Sequence, residues 1–223
     1  MFFPEKIKSI RPQDHVLEIG PGASPHPRSN AFLELEFDTD QTKLAQRGGV
    51  LQDPDFEEKP VYYYDGEKFP FDDGQFDYVI CSHVIEHVEN PINFLSEINR
   101  ISSGRGYLEY PLITYEYLYD FNVHLHFMKF DFKNRTLRYL AKKDTHFSEF
   151  SSVTKFFLRS LENGWDDLCA TNKELFFEGF EFTKPFLIEE TNDMAQLVPS
   201  ESLIPPKKSI RRFFSKVLDK LQL

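Results

Sequence analysis

The chain has 223 residues and a formal net charge of −10, with 40% hydrophobic and 28% charged residues, the profile of one globular domain with at most an elaboration. An acidic body of this kind repels phosphate backbones, which argues against nucleic acid as a partner. Two cysteines, Cys81 and Cys169, make neither a disulfide scaffold nor a zinc-ligand set; no metal site is expected, and the cysteine usage fits a reducing, cytoplasmic setting.

In chain order, Met-Phe-Phe-Pro-Glu-Lys at the start lacks a signal-peptide pattern, and no apolar run is long enough to span a bilayer. His15 to Ile19 reads as a buried first strand that delivers its backbone into a tight Gly20-Pro21-Gly22 turn. Ala31 to Glu36 is a second strand, and Val61 to Tyr64 a third, closed by Asp65-Gly66. Between the first two strands, Pro21, Pro25 and Pro27 forbid a multi-turn helix, so the first crossover is a loop or a single turn. Phe76 to Cys81 is a fourth strand. Asn90 caps a helix that begins at Pro91 and carries an apolar stripe of Ile92, Leu95, Ile98 and Ile101. Ser103-Gly104-Arg105-Gly106 ends it, and Tyr107 to Tyr110 is a fifth strand. Strands alternating with helices imply a parallel α/β sheet. Val123 to Phe130 and Thr136 to Ala141, around Lys133-Asn134, read as an antiparallel hairpin that finishes the sheet.

The site chemistry follows from the strand ends. Gly20 and Gly22 let main chain approach a small ligand that a Cβ would block. A dinucleotide needs a first helix to anchor its pyrophosphate, and Ser24 stands where no third glycine follows. S-adenosylmethionine needs no phosphate anchor. Its amino group, ribose hydroxyls and adenine suit Glu18, an acid after the second strand, and Asp65. Glu34, Glu36 and Asp38 compete for the ribose position, and Glu34 stands closest to the strand end.

The segments Val16-Leu17-Glu18-Ile19-Gly20-Pro21-Gly22, Asp65, Phe69-Pro70-Phe71-Asp72-Asp73-Gly74-Gln75-Phe76-Asp77-Tyr78-Val79-Ile80 and Ser82-His83-Val84-Ile85-Glu86-His87-Val88 resemble the class I S-adenosylmethionine-dependent methyltransferases. The likeness is to the small-molecule, type 11-like branch with a Pro-Phe loop before the fourth strand, over roughly residues 14 to 142. The resemblance implies a Rossmann-like, mostly parallel seven-stranded sheet with an antiparallel final hairpin. It also implies cofactor contacts at Glu18, Gly20, Gly22, Glu34, Asp65, Gly66, Ser82 and His83. On this reading residues 1–143 form the cofactor-binding core, and 144–223 are a C-terminal elaboration of the same globular unit.

Methyl transfer to a small-molecule or glycan oxygen or nitrogen needs positioning, and a hydroxyl acceptor gains from a base at the carboxyl ends of the strands. His83 and Glu109 are the candidate catalytic residues, each with a plain structural reading beside it. His124 and His126 alternate on a strand and would face one side, toward an acceptor. The aromatic run Tyr110, Tyr115, Tyr117, Tyr119, Phe121, Phe127 and Phe130 would build either an acceptor wall or core. Two alternatives stand: a catalytically silent binding module of the same fold, and a zinc hydrolase. The second rests on His83-x-x-Glu86-His87, whose order matches inverted zinc peptidases with two imidazoles on one helical face. Against it, the motif follows a buried strand and Asn90-Pro91 opens a new helix at once. Finally, Ile210, Phe213, Phe214, Val217, Leu218 and Leu221 share one helical face and Lys207, Lys208, Arg211, Arg212, Lys216 and Lys220 the other. Such a basic amphipathic helix over 207–223 suits either peripheral contact with an anionic membrane or docking on protein.

Overall fold

The computed structural model describes residues 1–37, 39–46 and 55–200; Asp38 and the basic terminal segment 207–223 lie outside the described residues. The strands are β1 (Val16–Ile19), β2 (Ala31–Leu35), β3 (Val61–Tyr64), β4 (Tyr78–Ser82), β5 (Gly106–Pro111), β6 (His126–Asp131), β7 (Thr136–Ala141), β8 (Phe177–Phe182) and β9 (Leu187–Glu190). The helices are α1 (Asp40–Gln46), α2 (Pro91–Ser102), α3 (Ile113–Tyr119), α4 (Ser151–Ser160), α5 (Asp166–Thr171) and α6 (Lys173–Phe176).

The central sheet runs β3-β2-β1-β4-β5-β8. Its first five strands are parallel and β8 is antiparallel to β5. The α/β class and the antiparallel last strand match expectation; the strand count is six rather than seven. The expected hairpin does form, with β6 antiparallel to β7. It does not complete the central sheet. It makes a separate three-stranded sheet, β6-β7-β9, because β8 already occupies the free edge of β5. Glu178 joins the two sheets by accepting from the Tyr110 hydroxyl at 2.6 Å and the Phe130 amide at 2.7 Å. Apolar side chains of the hairpin, among them Met128, Phe130 and Leu137, share one core with Phe180 and Phe182 of β8.

Strand alternation sorts the sheet into two faces. Leu17, Ile19, Leu33, Val79, Cys81 and Leu108 face α2. Val16, Tyr78, Ile80 and Tyr107 face Phe3, Tyr119, Cys169 and Phe177. Helix α2 is capped as its sequence requires: the Asn90 side chain accepts from the Asn93 amide at 3.0 Å, and Ser103 ends it in a left-handed conformation. Its buried stripe is Phe94, Leu95, Ile98 and Ile101, while Ile92 is 47% exposed. Ile92 lies in the first turn, off the stripe that later turns bury.

No helix stands between β1 and β2. Hydrogen bonds from side chains hold that crossover instead. The His26 amide and the Ser29 hydroxyl both donate to Glu18 Oε2, each at 2.7 Å. Asn30 accepts from the Val16 amide at 2.9 Å through its side chain and donates its own amide to Val16 at 2.8 Å. A loop rich in proline cannot satisfy its own backbone, so buried acceptors on β1 do so.

Candidate functional site

Strands β1, β2 and β3 run outward on one side of the sheet and β4 and β5 on the other, so the direction of strand order reverses between β1 and β4. Ligands of open α/β sheets bind at the carboxyl ends of the strands at such a point. Pairing of Ile19 with Cys81 sets the Gly20 turn beside Ser82 and His83. Gly20 has φ +59°, and a Cβ there would stand 2.6 Å from Val84 Cγ2; the loops after β1 and β4 touch through this glycine. Gly22 has φ +60°, and a Cβ there would meet nothing within 4 Å. Gly20 is therefore fixed by packing, whereas Gly22 opens its backbone to free space, as close approach of a ligand requires.

The acids expected around this turn occupy different environments. Glu18 and Glu34 are buried, 3% and 5% exposed, on the same sheet face and close enough for the charge of Glu34 to act on Glu18. Burial pushes the Glu18 carboxyl up, against the Ser29 and His26 hydrogen bonds. Glu18 thus holds the first crossover in place as well as bordering the turn. Glu36 is exposed. Asp65 is exposed just past β3, where its Oδ1 accepts from the Glu67 amide at 3.0 Å; Gly66 beside it has φ +96° and lies against Leu35.

His83 and Glu109 come together. Glu109 is fully buried and accepts from His83 Nε2 at 2.9 Å, Ser82 Oγ at 3.0 Å, Tyr107 Oη at 2.5 Å, and the Phe2 and Phe3 amides at 2.7 and 3.0 Å. Burial opposes ionisation, but the His83 hydrogen bond and charge, with Tyr107 and Phe2, outweigh it and hold the carboxyl at about 2. His83 has φ +57° and turns its other nitrogen, Nδ1, to within 3.4 Å of Glu86. Burial disfavours a charged ring, yet the flanking carboxylates of Glu109 and Glu86 push His83 up to about 9. A carboxylate with five donors and a ring held as imidazolium are poorly placed to take a proton at neutral pH. This pair fastens the loop after β4 to β5 and to the N-terminal segment, where Phe2 stacks on Phe177 and meets the His83 ring edge-on.

The helical face expected for His83 and His87 is absent. Ile85–His87 is a single 3-10 turn, and His83 points at Glu109 rather than alongside His87. The His124 and His126 expectation also changes. β6 begins at His126, so His124 lies in the preceding loop, against Glu116 and His87. His126 is buried, edge-on to Tyr139. Of the aromatic run, Tyr110, Tyr119, Phe127 and Phe130 are core, whereas Tyr117 is 59% exposed. Tyr117 and Phe127 line a cleft of about 940 Å³ against the small sheet, together with Arg138, Phe147 and Glu189. None of the residues expected to touch cofactor borders it. Sequence reading missed Glu116 as a partner of His124 and the N-terminal amides as partners of Glu109. Neither contact carries a sequence signal, because each depends on tertiary closure.

Residues 17–109 match the family model described as methyltransferase domain. An uncharacterised protein of Methanocaldococcus jannaschii is 28% identical over 103 residues, 46% of this chain and 46% of that one. The match therefore spans about half the length of that curated relative. Among solved structures, the YcgJ protein of Bacillus subtilis is similar at 22% identity over 52% of this chain and 56% of that one, with a TM-score of 0.37. An S-adenosylmethionine-dependent methyltransferase of Mesorhizobium loti is similar at 16% identity over 46% and 49% of the two chains, with a TM-score of 0.33. Residues 17–109, then, are similar to the methyltransferase domain family, the family that the sequence resemblance names.

Proposed function

We propose that this chain binds S-adenosylmethionine at the carboxyl ends of β1 to β4 and moves its methyl group to an oxygen or nitrogen of a small-molecule or glycan acceptor in the cytoplasm. The observation that carries the reading is the Gly20–Gly22 turn at the β1/β4 reversal, with Gly22 facing open space. When bound, the cofactor supplies an electrophilic sulfonium methyl. The chain's residues do the rest. Gly22 lets backbone reach the ligand, Glu34 takes the ribose hydroxyls, Asp65 and Gly66 border the adenine, and Glu18 and Ser82 close the amino-acid end. His83 and Glu109 hold the loop after β4 in position. Residues 1–143 supply all of these groups. The segment 144–200 adds β8 to the same sheet, which fits an elaboration that shares one globular unit with the core.

A second reading, a silent binding module, draws support from the mutual saturation of His83 and Glu109. Isothermal titration with S-adenosylhomocysteine, followed by release of S-adenosylhomocysteine from S-adenosylmethionine over a panel of hydroxyl and amine acceptors, separates the two. Binding with turnover supports methyl transfer, binding without turnover on any acceptor supports the module, and no binding removes both.

A further inference from the structure

Glu86 is fully buried on the turn after β4, and neither of its carboxylate oxygens has a hydrogen-bond partner. His83 Nδ1 at 3.4 Å lacks hydrogen-bond geometry, and His87 Nε2 stands at 3.9 Å. A carboxylate removed from water is ordinarily paired, hydrogen-bonded or on a metal. His87 Nδ1 is likewise buried without a partner. One ligand atom each from Glu86, His87 and His124 lie within 4.8 Å of one another.

Two separate segments build this cluster, and the backbone stitches them together: the Leu125 amide donates to the Glu86 carbonyl at 2.7 Å. The His87 and His124 rings stand edge-on with centroids 4.6 Å apart. His124 Nδ1 is hydrogen-bonded to Glu116, which leaves Nε2 as the nitrogen able to offer a lone pair. Glu116 is itself held by Lys142 Nζ at 3.0 Å. A carboxylate behind an imidazole is the usual support of a metal-ligating histidine, fixing its tautomer and orientation.

We propose that Glu86, His87 and His124 form a binding site for a divalent transition-metal ion of the zinc class. Two imidazoles and one carboxylate suit zinc and its first-row neighbours, whereas calcium and magnesium favour all-oxygen shells. Three protein ligands leave a coordination position open. His87 and His124 are 15% and 12% exposed at their side chains, so the cluster has access to solvent. This ligand set differs from the His83-x-x-Glu86-His87 order read in the sequence, since His83 is engaged by Glu109. The inference stands apart from methyl transfer, and metal content tests it without any turnover.

The full chain, free of any polyhistidine tag, is stripped with chelator and dialysed against micromolar Co²⁺ or Zn²⁺. Metal per chain is then measured by mass spectrometry, and ligand-field absorption is recorded for the Co²⁺ form. One metal per chain with visible Co²⁺ bands is expected. His124→Ala and Glu86→Gln should abolish both, Glu116→Gln should weaken binding by about tenfold or more, and exposed His146→Ala should change nothing. Circular dichroism verifies that each variant folds, and a rise in wild-type Tm on adding Zn²⁺ gives a readout that needs no variant. A folded wild-type chain that retains no metal and shows no Tm rise would overturn the site, leaving an ion-paired imidazole cluster. So would full retention by both His124→Ala and Glu86→Gln.

Discussion

Glu109 shows how a residue's position can be legible in sequence while its surroundings are not. Its place near the end of β5 was legible, because an apolar strand interrupted by one acid marks a carboxyl-end site. Its five donors were not, because two of them arrive from Phe2 and Phe3 at the far end of the chain. Removing its charge strands the His83 imidazolium in a buried setting, so Glu109→Gln should lower stability by about 2–4 kcal/mol, measured by urea denaturation at pH 7. The sign with pH follows from its depressed value. A carboxyl at about 2 folded and 4.5 unfolded contributes stability that is complete above 4.5 and fades as pH falls through about 2. The wild type should therefore lose its advantage over Glu109→Gln across that acid range; an advantage independent of pH would contradict the assignment. At the turn, Gly22→Val forces a branched side chain to φ +60° and fills the open space before the backbone. Affinity for S-adenosylhomocysteine should fall by about tenfold or more, while Glu34→Ala should cost about five- to twentyfold through lost hydrogen bonds. Unchanged titration curves for both would remove these residues from the cofactor site.

Among the elements, β1 to β5 and α2 were legible because each obeys a local rule: buried apolar runs, a capped helix start, proline in the first crossover. What sequence could not supply was which sheet the hairpin joins. Register and turn chemistry fix β6 against β7, but the choice of neighbour is decided by β8, which reaches β5 from a distant part of the chain. The Phe69-Pro70-Phe71 loop was read as a family mark, and its physical basis is a staple on α2. Arg100 donates to the Phe69 and Phe71 carbonyls at 3.2 and 2.7 Å, to Asp73 at 2.9 Å and to Glu97 at 2.8 and 2.7 Å, while Glu97 accepts from the Phe69 amide. Arg100→Ala should destabilise by about 1.5–3 kcal/mol, since it orphans carbonyls and a carboxylate that are largely withdrawn from water. Thermal unfolding of the variant checks this; a Tm within a degree of wild type would mean that solvent replaces the guanidinium at no cost.

Across the whole molecule, one sheet brings glycine backbone, buried acids and the loop after β4 to a single edge at the β1/β4 reversal. No helix among the described residues is long and apolar enough to cross a membrane. The two buried glutamates of the first two strands show how little of the site is independent of the fold, since Glu18 also replaces the missing crossover helix. The glycine turn and the acids proposed for the cofactor were readable in sequence because they follow strands in order. The Glu86, His87 and His124 cluster was not, because His124 joins it only through the path of the loop before β6. The most direct measurement is isothermal titration of the purified, nucleoside-free chain with S-adenosylhomocysteine, run beside Gly22→Val. Saturable binding at one ligand per chain, weakened in the variant, is the predicted result. Absence of heat with a wild-type chain whose circular dichroism shows it folded would contradict the account.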